Sequence, residues 1–369
     1  TTAQVGTLST AQVQVIGTSA VAAMTTTQVA TLSTAQVAVL TTGQVSVLTA
    51  NEVKALSTGQ VQALSTSQVN ALTNANVSAL TTGQVNALTT AQVNALTSSA
   101  VTALGTAQVQ ALSTGQVQAI TTANVTALSS TQVAALTTSQ VSVLSTSQVV
   151  ALETSDISAL STSQVAALTT AHVNVLSTAS VGVMNTAQVA ALTTAQVQAL
   201  TTANVASLST SQLQVLSSDQ VAAFSTAQVS ALTTTEAATL SAGQARALTT
   251  AQVQVLNTSN LQALKLASVE AMTSTQLQVL STTQLNALET EDFASLTDTQ
   301  IKALTTAQVQ ALTTSAITSL SGDQVSKFTT AQVAVVTTTN VAALSADQVA
   351  AMTTAQVGTL STAQVQVIG

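Results

Sequence analysis

Apolar side chains recur along this chain at a fixed spacing of eight residues. Divided into octads from Thr1, the sequence stays in register through 46 octads without an insertion, and Gly369 is left over. Most octads read [S/T]-T-x-Q-V-x-A-L, with Val at position 5 and an apolar residue at position 8. A short fixed period predicts a repeat array, in which each unit buries its apolar residues against neighbouring units.

The polar half of the octad predicts a helix start. Eight residues of unbroken α-helix overshoot two turns by about 80°, so the Val and Leu positions stay on one side only if the helix breaks once per octad. Ser or Thr at position 1 with Gln at position 4 is a capping box, and position 8 of the preceding octad pairs with position 5 as a hydrophobic staple. Residues 89–96 show the whole pattern, with Thr89 and Gln92 as the cap and Val93 and Leu96 as core.

The few charges support the helical interpretation. Eleven of the twelve acidic residues lie at positions 1 to 4, and four of the five basic residues lie at positions 6 or 7. This polarity is what a helix dipole favours. We therefore predict an all-α solenoid of short capped helices, one per octad, with a β-solenoid of Thr- and Val-rich turns as the alternative. Because residues 265–272 lack a cap at position 1, we expect the preceding helix to continue through them.

A second, longer period predicts the domain organisation. Residues 1–17 recur without change at residues 353–369, which is a displacement of 44 octads. We interpret residues 1–369 as one continuous array, residues 1–352 as one super-repeat and residues 353–369 as the start of the next. The expected continuation after Gly369 is TSAVAAMTTTQV.

Composition narrows the classes of function. Charged residues make up 5 % of the chain and the net charge is −7, so a nucleic-acid partner or an anionic membrane surface is not expected. No apolar run is long enough for a membrane-spanning helix. The sequence has no Cys and one His. Near-identical repeats offer little basis for a unique catalytic group, so we expect no enzyme activity and no cofactor.

Two parts of the sequence are candidate ligand sites. His172 stands where Gln is usual; it is either a metal or haem ligand or a substitution at a polar cap position, and the second reading is favoured. Residues 289–300 hold the densest charge, with Glu289, Glu291, Asp292 and Asp298 as weak candidates for binding a cation such as Ca²⁺. These four positions are also helix starts, and their spacing is not that of a calcium-binding loop.

The phrase L-[S/T]-T-x-Q-V-x-A-L resembles the long octapeptide arrays of secreted or surface proteins of Gram-negative bacteria, which are described as adhesin-like or haemagglutinin-like. This resemblance implies an extracellular or cell-surface location. The phrase also resembles the first helix of the repeats of transcription activator-like effectors, whose second helix and base-reading loop have no counterpart here. That second resemblance implies short helices, and it does not imply DNA binding.

The expected function is structural. We predict a segment of an extracellular filament or surface stalk that self-associates, with an adhesin or an ice- or glycan-binding repeat as the alternative. Ice binding requires flat ranks of exposed Thr. The capping model turns position 1 inward and leaves position 2 as the exposed Thr row.

Overall fold

The structure is a computed structural model that describes residues 1–368. Across these residues it contains 46 helices of four to six residues, one in each octad, and no strand. The predicted all-α architecture of one short capped helix per octad is confirmed, and the β-solenoid alternative is wrong. Helices are numbered here in chain order, so that each helix carries the number of its octad.

The chain divides into two compact units, Thr1–Ala191 and Leu192–Gly369. The helices of the first unit are α1 Thr2–Gly6, α2 Thr10–Gln14, α3 Thr18–Ala22, α4 Thr26–Ala30, α5 Thr34–Ala38, α6 Thr42–Ser46, α7 Ala50–Ala55, α8 Thr58–Ala63, α9 Thr66–Asn70, α10 Asn74–Ala79, α11 Thr82–Ala87, α12 Thr90–Ala95, α13 Ser98–Thr102, α14 Thr106–Ala111, α15 Thr114–Ala119, α16 Thr122–Thr126, α17 Ser130–Ala135, α18 Thr138–Ser142, α19 Thr146–Val150, α20 Thr154–Ala159, α21 Thr162–Ala167, α22 Thr170–Asn174, α23 Thr178–Gly182 and α24 Thr186–Ala190.

The helices of the second unit keep the spacing of eight residues, and four of them are only four residues long. They are α25 Thr194–Ala199, α26 Thr202–Ala206, α27 Thr210–Gln214, α28 Ser218–Ala222, α29 Thr226–Ser230, α30 Thr234–Ala237, α31 Ala242–Ala247, α32 Thr250–Gln254, α33 Thr258–Ala263, α34 Leu266–Glu270, α35 Ser274–Gln278, α36 Thr282–Leu285, α37 Thr290–Ser295, α38 Asp298–Ala303, α39 Thr306–Gln310, α40 Thr314–Ser319, α41 Gly322–Ser326, α42 Thr330–Ala334, α43 Thr338–Ala342, α44 Ala346–Ala350, α45 Thr354–Val357 and α46 Thr362–Val365.

Most helices begin at the predicted capping box. In α12, Thr89 is the extended N-cap residue and its hydroxyl accepts the Gln92 N–H at 3.2 Å. The Gln92 Oε1 accepts the Thr89 N–H at 2.7 Å in return. These two bonds satisfy two amide groups that a helix start leaves unpaired.

The six-residue helices, such as α12, end when the residue at position 8 leaves the helical conformation. Leu96 adopts φ −57° and ψ 138°, and its N–H still donates to the Val93 carbonyl at 3.2 Å. The change of direction turns Leu96 toward the same interior as Val93, and both side chains are buried. The helix is therefore too short to wind its apolar positions out to solvent.

The apolar positions are buried between successive turns of a solenoid. Inside each unit, helix n packs against helix n+3, as α7 does on α10 and α28 does on α31. Val at position 5 and Leu at position 8 form the core from one turn to the next. Burying a Val or Leu side chain contributes about 1.5–3 kcal/mol, and a single octad has no other apolar surface to cover it.

The expected continuous helix across residues 261–272 is wrong. Helix α33 ends at Ala263, and Lys265 is an extended N-cap with ψ 147° that forms no side-chain cap. Leu264 and Met272 are both buried, which an unbroken helix would prevent because it rotates the second octad by about 80°. Burial of the core residues therefore breaks the helix here without a capping side chain.

The expected surface is also corrected at position 1. The position-1 side chains of octads 8, 11 and 18, which are Ser57, Thr81 and Thr137, are exposed although their hydroxyls accept the cap bond. Positions 2 and 3 are exposed in the same octads, and position 6 is exposed in octads 8 and 11. The cap bond is made at the surface, so the solenoid presents adjoining rows of hydroxyl groups.

Candidate functional site: the position-4 interface

In most octads the side chain at position 4 is buried and bonds to the backbone of another turn. The Gln92 side-chain Nε2 donates to the Leu64 carbonyl at 2.6 Å and to the Val61 carbonyl at 3.0 Å. Its Oε1 accepts the N–H of Thr89 in its own octad. One carboxamide therefore caps its own helix and joins it to the octad four places earlier.

The same bonds recur with a constant sequence separation. Gln44 donates to the Ile16 and Val13 carbonyls, 28 and 31 residues earlier. In the second unit, Gln356 donates to the Phe328 and Val325 carbonyls at the same separations. We call this contact the position-4 interface. Since helices n and n+3 also pack together, one turn of the solenoid takes between three and four octads.

Asn side chains at position 4 keep the bond to another turn but do not complete the capping box of their own helix. Asn76 Nδ2 donates to the Leu48 carbonyl at 2.9 Å, and Asn124 Nδ2 donates to the Leu96 carbonyl at 2.7 Å. Neither side chain forms a capping box with its own N-cap amide. Asn lacks one methylene group, so it spans to the other turn but not back to its own helix start.

Carboxylates at position 4 keep the capping bond within their own octad but form no bond to another turn in the described structure. Glu52 accepts the Thr49 N–H at 2.6 Å, and Glu236 accepts the Thr233 N–H at 2.6 Å. An ionised carboxylate has no hydrogen to donate to a carbonyl of another turn. The second oxygen of Glu236, Oε1, is buried and has no hydrogen-bond partner in the described structure.

Two octads pair a position-4 Asp with a position-1 Glu. Asp156 accepts the Glu153 N–H at 2.9 Å, and Asp292 accepts the Glu289 N–H at 2.9 Å. Burial raises the pKa of both Asp carboxyls; the hydrogen bond from the N-cap amide lowers it in part, and the neighbouring Glu charges raise it further. These Asp side chains are thus placed where the charged form is disfavoured.

His172 reproduces the bonding of Gln with an imidazole ring. Its Nδ1 accepts the Thr169 N–H at 3.2 Å, and its Nε2 lies 2.7 Å from the Leu144 carbonyl. Since a carbonyl only accepts, Nε2 carries the hydrogen. Both ring nitrogens are engaged and the residue is buried, so the structure places His172 in the position-4 interface and not at a ligand site.

The four acidic residues proposed as cation ligands have different roles in the structure. Asp292 is buried in its capping box, whereas Glu289 and Glu291 are exposed. Asp298 pairs with Lys327, whose Nζ lies 3.3 Å from the Asp298 carboxylate and 3.2 Å from Asp323. These two hydrogen bonds raise the pKa of Lys327. Within residues 1–368, no three Asp, Glu or His side chains converge as a metal site would require.

The position-4 interface was predicted only in part. Thr89, Gln92, Val93 and Leu96 have the capping and core roles that the sequence indicates. The bond from the Gln amide to another turn was missed, because its acceptors are backbone carbonyls and carry no residue-type signal. The available signal was the strong preference for Gln over Glu, since a capping box accepts either residue.

A family model described as the ALTTAQ repeat matches overlapping segments that cover residues 1–234, 285–322 and 325–362. These segments span well over half of the chain, which therefore belongs to the ALTTAQ repeat family. No curated protein matches the sequence. Among the described helices, none is long and apolar enough to cross a membrane.

Proposed function

We propose that this chain is a structural segment of an extracellular filament or cell-surface stalk, and that it self-associates. The observation that carries the proposal is the recurrence of the position-4 interface with the same donors and acceptors in both units. A design in which every octad repeats one set of contacts provides length and stiffness, because each added octad extends the core without a new fold.

The surface supports the same proposal. Ser, Thr, Gln and Asn occupy most exposed positions, and the chain has five basic residues. Hydroxyl and amide groups keep the array hydrated without strong charge, and scarce Lys and Arg leave few sites for trypsin-like proteases. Both properties suit a protein outside the cell.

The test is electron microscopy of purified protein, together with protease treatment and antibody labelling of intact producing cells. Filaments and surface labelling are the expected results. Dispersed single particles over a wide concentration range, or antigen found only after cell lysis, would contradict the structural and the surface parts of the proposal respectively.

A second candidate is a repeat module that binds a glycan or ice. It is favoured by the exposed hydroxyl rows at positions 1 and 2, which were expected only at position 2. Glycan-array binding and thermal hysteresis measurements distinguish it from a passive filament. Threonine-to-valine changes along position 2, which remove the hydroxyl while keeping the shape, would abolish glycan binding.

A further inference from the structure

Octad 23 lacks the carboxamide while keeping the backbone groups that a carboxamide binds. In octad 23 position 4 is Ser180, and the corresponding acceptors, 28 and 31 residues earlier, are the carbonyls of Leu152 and Val149. The Ser180 hydroxyl lies 2.8 Å from the Ser177 hydroxyl and does not reach these carbonyls. In the described structure, the Ser177 N–H and the Leu152 carbonyl have no hydrogen-bond partner.

Other octads without Gln show why octad 23 is different. Ser268 donates to the Leu240 carbonyl at 2.8 Å, and its position-1 residue is Lys265, which has no hydroxyl to compete. In octad 40, where position 4 is Ala316, the Thr313 N–H already donates to Asn286 Oδ1 at 3.3 Å. Of these three octads, only octad 23 leaves both the N–H and the carbonyl unpaired. Octad 13, where position 4 is Ala100, leaves the Thr97 N–H and the Leu72 carbonyl unpaired in the same way within the described residues.

A cleft of about 410 Å³ opens at these groups. Val149, Leu152, Ser177 and Ser180 all line it, and the Glu153 side chain lies at the same place. Its size is in the range of clefts that hold small ligands. One amide donor and two carbonyl acceptors, beside apolar Val149, match the hydrogen-bonding pattern of a primary carboxamide.

We propose that this cleft binds a primary carboxamide group, seated as the Gln side chain is seated elsewhere in the array. The ligand oxygen accepts the Ser177 N–H, and the ligand nitrogen donates to the carbonyls of Leu152 and Val149. Gln92, Gln44 and Gln356 show that this arrangement of backbone groups holds a carboxamide. The carboxamide comes either from a small amide or from an exposed Gln or Asn side chain of a second copy.

The test uses propionamide as the probe and propionate as its isosteric control, observed by saturation-transfer NMR with the full chain. We expect saturable propionamide binding with a Kd on the order of millimolar, because so small a ligand offers few contacts. Propionate is expected to bind on the order of tenfold more weakly, since it has no donor for the two carbonyls and faces Glu153. Equal binding of the two probes would overturn the proposal.

Two matched variants assign the binding to this cleft. Ser180→Gln supplies the carboxamide from the chain itself, so it should remove propionamide binding at this cleft and raise the melting temperature. Gln148→Ser removes the carboxamide from an ordinary octad, in which it binds the carbonyls of Val117 and Ile120. This variant should gain one further propionamide site. Propionamide binding that is unchanged in Ser180→Gln would contradict the assignment even if Gln148→Ser does not fold.

Analytical ultracentrifugation separates the two sources of the carboxamide. If a second copy supplies it, the wild-type chain self-associates, and Ser180→Gln and added propionamide both weaken that association. If a small amide is the ligand, propionamide binds while the sedimentation of wild type and Ser180→Gln is the same. Filament formation that survives in Ser180→Gln leaves the proposed structural function intact, so the two proposals fail independently.

Discussion

The helices of octads 12 and 30 begin with equivalent capping boxes. Their position-4 side chains differ in the hydrogen bonds that they form with another turn. Thr89 with Gln92, and Thr233 with Glu236, form equivalent capping boxes with N-cap bonds of 2.7 and 2.6 Å. Gln92 then uses its amide nitrogen to bond two carbonyls of another turn. Glu236 instead buries an oxygen with no partner. Local helix formation and turn-to-turn bonding are therefore separate tasks of one side chain.

The two octads also differ in the core. Position 5 is Val93 in octad 12 but Ala237 in octad 30, and both are fully or almost fully buried. Helix α30 packs against α27 and α33, whose position-5 residues are the larger Leu213 and Leu261. A small residue in one turn is thus matched by larger residues in adjacent turns, which keeps the interior filled.

The largest expected effect comes from removing the carboxamide in octad 12 without opening a space. Gln92→Met keeps the length of the side chain but leaves the Thr89 N–H and the Leu64 carbonyl unpaired and shielded from water. Each such group costs about 1–3 kcal/mol, so the free energy of unfolding should fall by about 2–6 kcal/mol. Urea denaturation followed by circular dichroism measures this change.

Gln92→Glu is the matched comparison for that measurement. It retains the capping box and loses only the bonds to the carbonyls of the other turn, as in octad 30. Its loss of stability should therefore be smaller than that of Gln92→Met if the two tasks are separable. Equal losses in the two variants would show that the cap contributes nothing beyond the cross-turn bonds.

The second prediction concerns a variant of octad 30 that carries the position-4 residue of octad 12. Glu236→Gln replaces an unpartnered buried oxygen with an amide that donates to carbonyls at the spacing of Val205 and Leu208. We expect a gain of about 1–3 kcal/mol in the free energy of unfolding at neutral pH. Asp347→Asn removes the same charge at an exposed position and should change stability by less than about 0.5 kcal/mol. A similar gain in both variants would point to net charge as the cause.

The smallest expected effect is a pH dependence at Asp156 and Asp292. Burial raises the pKa of both carboxyls above the ordinary value of 3.8. The folded state therefore holds these protons more tightly than the unfolded state. The resulting stabilisation is complete below 3.8 and is lost as pH rises through the folded-state pKa.

Asp156→Asn combined with Asp292→Asn should remove this dependence. The stability of the variant relative to wild type is expected to increase as pH rises from 3 toward 7 and then to level off. Urea midpoints measured at several pH values for the two proteins provide the comparison. A difference that stays constant with pH would mean that neither carboxyl titrates differently in the folded state.

The amino-acid sequence by itself determined the local structure. The capping box of Thr89 and Gln92 and the polarity of charges such as Glu52 and Lys54 operate within one octad, so their effects are visible without a fold. The burial of Val93 and Leu96 followed from the period of eight. The caps and the charge polarity rest on contacts between residues at most a few positions apart, whereas the burial is signalled by the repeat itself.

Only the tertiary structure decided the contacts between turns. The sequence did not give the number of octads in a turn, because that number depends on how the cores of different octads pack. It also did not reveal that Gln92 bonds the Leu64 carbonyl, or that Lys265 begins a new helix without a cap. Backbone carbonyls are the same in every residue, and the position-4 hydrogen bonds between turns join residues 28 to 31 positions apart, so these contacts leave no local signal in the sequence.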